Sequence, residues 1–242
     1  MNKKKAAILI AGLTRTYEKT KESFFSKVFF PNTNEYDIDI YLCFWDKTHT
    51  RGMLKNENIT TLNDNDINEV ISVYNPKKYQ ILKNYKEANS LFSEKGKEFT
   101  KIVGRPKNHE YPALLHQNGV IAQSYTWHSA FSLVEEEYDL FFRTRFDVSY
   151  HQPIYFNSFQ GDGLNCFSFD HQDFSYVGDA AFLGDFNSMK TACSNYHLDM
   201  INMKIPPMRK NSNLFAEDIL YDYLKYFNIK INLTPKIIKI IR

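Results

Sequence analysis

The stretch AAILIAGLTRTYEKTKESFF, Ala6 to Phe25, decides the architecture. Its first six residues are apolar and end at Gly12, which reads as a buried strand over 6–11. Tyr17, Phe24, Phe25 and Val28 then recur at helical spacing as far as Pro31, and DIDIYLCFW (37–45) reads as a second strand. Strand, helix and strand in so short a span predict a parallel pair with the helix crossing over it.

Working outward, residues 46–63 are rich in Thr, Asn, His and Lys and read as a loop. NDNDINEVISVY predicts a short helix capped by Asn or Asp, and KKYQIL a third strand. The polar stretch from about 83 to 110 is expected to be an irregular excursion, a lid over the domain. Pro112 opens a long helix running to about Glu137, with Val120, Trp127 and Val134 on one stripe and Gln123 and Ser124 beside it. YDLFFRTRFDV begins as a strand, and GLNCFSF (163–169) and YVGDAAFLG (176–184) read as two more. A helix from Asp185 to about Asn195, another within NSNLFAEDILYDYLKYF, and the apolar INLTPKIIKII complete an α/β pattern. No internal repeat divides it, so residues 1–242 are expected to form a single domain.

Composition narrows the partners. A formal charge of +2 is too small to expect nucleic acid, which calls for a concentrated basic face, whereas small anionic ligands fit. No apolar run is long enough to span a bilayer, and Cys43, Cys166 and Cys193 form no CxxC pair. The expectation is a cytosolic protein with buried thiols and no transmembrane segment. The basic tail IIKIIR suits either a terminal strand or a peripheral contact with an acidic membrane. With 20 Phe and 16 Tyr there is aromatic surface to spare, used chiefly for packing.

The most informative residues are Arg143, Arg145 and Asp147, whose period-two alternation places them on one face of a strand. Burying an isolated ion costs several kcal/mol, roughly, so such a triplet is either an internal ion-pair network or a site for a charged ligand. In open α/β sheets ligands sit outside the carboxyl ends of the strands, where this triplet and the Gly12–Arg15 loop would both lie. Arginine forks suit phosphate oxygens, a carboxylate suits a divalent cation bridging to them, and Gly12 allows close approach of backbone. A nucleoside diphosphate would satisfy all of these. Gln123 suits either a buried hydrogen bond or a ligand contact. Asp46, at the end of the second strand, reads either as a helix or turn cap or as a contact to the base or ribose. His109, His116, His128, His151 and His171 show no metal-ligand spacing.

LIAGLTRTYEKT, DIYLCFWD, YDLFFRTRFDV, VGDAAFLGDFNSM and AEDILYDYLKYFNI, in that order, resemble GT-A-type glycosyltransferases that build bacterial surface polysaccharides and the glycans of some large viruses. The resemblance spans most of the chain and implies a GT-A-like (Rossmann-like) mixed, mainly parallel sheet flanked by helices. Arg-x-Arg-x-Asp looks like a one-carboxylate variant of that family's Asp-x-Asp element, with Arg145 in the place of the first aspartate. By the same resemblance Gly12, Thr14 and Arg15 lie near the nucleotide, and Asp147 takes a divalent cation, Mn2+ or Mg2+. Asp179 then lines the acceptor side, with Gly178, Ala180 and Ala181 leaving room for a sugar, and Glu217 or Asp218 serves as the general base. The implied activity moves a sugar from a nucleotide-sugar donor to a glycan acceptor. The rivals are a sugar-phosphate nucleotidyltransferase and a glycan-binding domain without catalysis.

Overall fold

The computed structural model describes residues 3–49, 59–83, 85–103, 113–159, 162–169, 179–209 and 216–241. Strand β1 (Lys4–Gly12) is buried on both faces, Ala7, Leu9 and Ala11 joining one apolar layer and Ala6, Ile8 and Ile10 the other. Helix α1 (Tyr17–Phe24) follows and continues through one π turn (Phe25–Phe29) into a short 3-10 turn (Phe30–Asn32) containing Pro31. Strand β2 (Tyr36–Trp45) pairs parallel with β1, Ile8 opposite Ile40, which is the crossover expected from the sequence.

The segment read as a plain loop carries a small antiparallel ribbon, β3 (Lys47–His49) and β4 (Ile59–Thr61). Helix α2 (Asp64–Tyr74) starts at a capping box in which the Asn63 side chain accepts from Asn65 and Asp66 N–H at 2.9 and 3.0 Å. Asp66 in turn accepts from the Asn63 N–H. Strand β5 (Lys78–Leu82) extends the sheet beyond β2.

The expected excursion after it is instead a 19-residue helix, α3 (Tyr85–Val103), over most of its length. Phe92 and Phe99, two turns apart, are buried in the layer that also holds Trp45 and Trp127, and this narrow stripe carries the helix through otherwise polar sequence. Helix α4 (Ala113–Phe131) stops before Glu137. Val120 and Trp127 face the core as expected, whereas Val134 lies beyond the helix; Pro112 is outside the described residues.

Strand β6 (Leu140–Thr144) ends earlier than the alternation suggested, and Arg145, Phe146 and Asp147 form a turn into β7 (Val148–Tyr150). Next come β8 (Leu164–Phe169), β9 (Ala181–Gly184) and α5 (Phe186–Met189). The chain runs on through a π turn (Lys190–Asn195) into α6 (Tyr196–Ile201), then α7 (Ala216–Tyr226) and β10 (Ile231–Ile240). Gly163, at φ +111°, lets β8 approach the chain before β10: a Cβ there would lie 2.3 Å from the Lys230 carbonyl oxygen.

The eight strands are ordered β5-β2-β1-β6-β9-β8-β10-β7, with β9 and β7 running against the other six. This is a mixed, mainly parallel sheet, compatible with a Rossmann-like fold. One face packs against α4, α6 and α7, the other against α1 and α2. The chain moves outward from β1 through β2 to β5 and returns to the opposite side of β1 at β6. A topological switch point therefore lies between the ends of β1 and β6.

Candidate functional site

At the end of β1, Gly12 has φ +133°, and among the described residues, its chain neighbours aside, nothing lies within 4 Å of where a Cβ would sit. Backbone is thus presented to open space at the switch point. Thr14 is buried, and its carbonyl accepts the Tyr17 N–H at 3.1 Å, turning the chain into α1. Arg15 reaches across the switch point, donating from Nη2 to Asp147 Oδ2 at 2.7 Å.

On the other side, Arg145 forks onto the same carboxylate, Nε to Oδ1 at 2.8 Å and Nη2 to Oδ2 at 2.7 Å. Thr20, on α1, donates its hydroxyl to the Phe146 carbonyl, so helix and turn are fastened together. The backbone of Ile241 joins both loops: its N–H donates to the Asp147 carbonyl at 2.8 Å, and its carbonyl accepts from Thr16 Oγ1 at 3.2 Å. Burial would raise the Asp147 carboxyl, but the charges and hydrogen bonds of Arg145 and Arg15 hold it below the usual carboxylate range. Burial works most strongly against the Arg145 charge, but Asp147, together with Asp179 and Glu217, outweighs it, so that guanidinium is held above its ordinary value.

Asp147 was expected to hold a cation. A divalent ion needs oxygen lone pairs at roughly 2.0–2.6 Å, and here both oxygens already accept guanidinium N–H groups within 2.8 Å. An ion placed there would meet two positive charges. The residues as arranged do not fit a metal ion.

Arg143 departs from its expected companions. It points to the α4 side of the sheet, fully enclosed, with its guanidinium 4.1 Å from the Trp127 ring centroid and 5.2 Å from that of Phe182. Strand alternation holds only as far as Thr144, so Arg143 faces the core while the turn carries Arg145 and Asp147 towards Arg15. Burial pulls the Arg143 guanidinium down to about 9, which leaves it charged at neutral pH. Nη1 donates to the Asp179 carbonyl, while Nε and Nη2 find no hydrogen-bond partner among the described residues. Arg143 therefore supports Asp179 and is not presented to an open cleft.

Asp179 lies two residues before β9, and Gln123 of α4 donates to its carboxylate at 2.7 Å. Gln123 itself is half-buried, so this is a partly buried hydrogen bond. Ala180 and Ala181 are fully buried in the core and leave no room for a sugar; Gly178 lies outside the described residues. Glu217 and Asp218 open α7 but differ sharply. Asp218 is buried and accepts from Arg209 Nη2 at 3.2 Å, and Arg209 also binds Asp222. Glu217 is only half-buried, and its negative charge acts on Arg145 and on Tyr196. Asp46 ties the end of β2 to its neighbours through backbone bonds to Leu82 and Leu62. Its Oδ1 is enclosed without a hydrogen-bond partner among the described residues, and the cap of α2 is Asn63 instead.

No family model matches this chain, and no curated protein does.

Two groups escape a reading of the sequence. Tyr196 is 1% exposed, its hydroxyl has no hydrogen-bond partner among the described residues, and its neighbours in charge are Asp179 and Glu217. Nothing in its local pattern marks it out. The second is a histidine pair, buried His197 and half-buried His128, stacked with ring centroids 5.3 Å apart. Ser124 gives its proton to the Ile121 carbonyl, so towards His197 Nδ1, at 2.9 Å, its oxygen accepts and the imidazole donates. Ser124 and His128 share a face of α4 at i, i+4, the one local sign of the network. His109 and His171 lie outside the described residues.

Burial, with the neighbouring His128, pushes His197 down to about 3. An unfolded chain takes up that proton near pH 6.5, roughly. His197's contribution to stability is fully present above about pH 6.5 and is lost progressively as pH falls towards about 3, at up to about 1.4 kcal/mol per pH unit. Urea unfolding is expected to show a protein about 2 kcal/mol less stable at pH 5 than at pH 7. His197→Gln should flatten that dependence.

Proposed function

We propose that this chain, on a GT-A-like fold, transfers a sugar from a nucleotide-sugar donor to a hydroxyl of a glycan acceptor. One observation carries the proposal: Arg15 and Arg145, from the loops on either side of the switch point, converge on Asp147 next to the open backbone at Gly12. Two guanidinium groups against one carboxylate give this triad one net positive charge, with the acids Asp179 and Glu217 beyond it, at the position where open α/β sheets take nucleotide ligands.

In this reading the diphosphate lies along the cluster with the sugar directed towards Asp179 and Glu217. The bond between the anomeric carbon and the phosphate oxygen breaks, and its electron pair stays on the diphosphate. The acceptor oxygen forms the new bond and yields its proton to Glu217. Asp218 is excluded from that role by its engagement with Arg209. Asp46, with an enclosed oxygen lacking a partner among the described residues, is the contact for the ribose or base. Gln123 and Arg143 act as positioning residues behind Asp179.

The three cysteines are free and buried, which suits a reducing compartment, and we place the reaction in the cytoplasm. Among the described residues no helix is long and apolar enough to cross a membrane. The test is to incubate the protein with UDP-, GDP- and dTDP-sugars and an oligosaccharide acceptor. The expected result is nucleoside diphosphate release that rises with acceptor. Absence of release from every donor, together with pyrophosphate formed from a sugar 1-phosphate and a nucleoside triphosphate, would turn the assignment to a nucleotidyltransferase.

A further inference from the structure

We propose that Arg15 and Arg145 take the place of a divalent cation: they bind the donor diphosphate and neutralise it as it departs, and Asp147 is the post that aims them. The identity of the ligand rests on the glycosyltransferase reading, whereas the anion clamp stands on its own geometry.

The arrangement of donors carries the inference. Asp147 Oδ2 accepts from both arginines and Oδ1 from Arg145, so three of the roughly four lone-pair directions of this carboxylate are in use. Its side chain is 4% exposed, and a hydrated ion could reach it only by expelling a guanidinium. Magnesium in particular keeps several of its waters, so an enclosed, already protonated-donor environment is the wrong host. The arginines themselves have capacity left. Arg15 spends only Nη2 on the carboxylate, which leaves Nη1 for a phosphate oxygen, its Nε being enclosed. Arg145 spends Nε and Nη2, which leaves Nη1 for a phosphate oxygen.

The two arms are also fixed before any ligand arrives. They come from different loops, and those loops are held together by the Thr20 hydroxyl on the Phe146 carbonyl and by the Ile241 backbone. A carboxylate that pins two guanidinium groups at a set separation removes the freedom that each would otherwise lose on meeting a diphosphate. Such fixed positive charge stabilises a developing diphosphate much as a cation does, without reorganising during the reaction.

Calorimetry on the full chain tests this with UDP, GDP and inorganic pyrophosphate, each in EDTA and again with Mn2+. A nucleoside diphosphate is expected to bind in EDTA, with an affinity that Mn2+ changes by less than about threefold. Arg145→Lys keeps the charge but loses the fork, and Asp147→Asn releases both arms; each should weaken binding about tenfold, with folding checked by thermal melting. Nucleotide binding that requires Mn2+ would overturn the clamp and leave the glycosyltransferase reading intact. Binding in EDTA that neither variant weakens would overturn it as well. Pyrophosphate binding in EDTA without binding of either nucleotide would uphold the clamp and remove the glycosyltransferase reading. If none of the three binds under either condition, both fall.

Discussion

Glu217→Gln is expected to lower the rate of sugar transfer by about 10²- to 10⁴-fold while nucleotide affinity stays within about threefold of the parent. Glutamine keeps the size and hydrogen-bonding reach of the side chain but cannot take a proton from the acceptor. The neighbouring substitution supplies the contrast. Asp218 is buried against Arg209, so Asp218→Asn should be read in the melting temperature and not in the rate of the protein that remains folded. Steady-state rates over a range of acceptor concentrations, with melting curves for both variants, separate the two carboxylates. Equal losses of turnover in Glu217→Gln and Asp218→Asn would mean that the acid opening α7 is structural throughout, and another group would have to serve as base.

Arg143→Ala is expected to cost about 3–5 kcal/mol of stability, by analogy with truncating a large side chain in a packed core. Its guanidinium packs against both the Trp127 and Phe182 rings, themselves in edge contact at 5.6 Å, and holds the Asp179 carbonyl. At roughly 2–4 °C per kcal/mol for a chain of this size, the melting temperature should fall by on the order of 10 °C. Enclosing the guanidinium away from water opposes this, since burial of a charge with imperfect partners is itself costly. Arg143→Met separates the two effects: it refills the volume and removes the charge, and should melt within a few degrees of the parent or above it. Its transfer rate should still drop, because the carbonyl of Asp179 loses its donor. A melting temperature for Arg143→Ala equal to the parent's would show that the aromatic slot is not where the energy lies.

Much of the fold is written locally. The run AAILIA, the helical spacing of Tyr17 and Phe24, and the apolar DIDIYLCFW each specify their element within a few residues, and the parallel pairing follows from their proximity along the chain. Helix α3 escaped because Phe92 and Phe99 supply a thin apolar stripe amid Lys, Glu and Gly96, which reads as loop until a partner layer is known. The site was legible by residue type and illegible by arrangement. RTRFD has the period of a strand, yet the strand ends at Thr144, and a turn cannot be told from a strand by alternation alone. The links that settle each role join residues distant in sequence: Arg15 to Asp147, Gln123 to Asp179, Arg209 to Asp218. Spacing within a motif carries no information about such contacts. Helical spacing puts Glu217 on the core-side stripe with Leu220 and Leu224 and Asp218 nearer Tyr221 and Asp222, yet it is Asp218 that is buried, held by Arg209, while Glu217 is half-buried.

Ile241, near the end of the sequence, grips loops that were laid down at its beginning and in its middle. Assembly of the arginine pair consequently leans on β10: without it the two halves of the cluster keep the Thr20 link but lose the Ile241 brace. A polypeptide shortened by only a few residues at this end would keep its sheet nearly whole and still lose the register between Thr16 and Asp147.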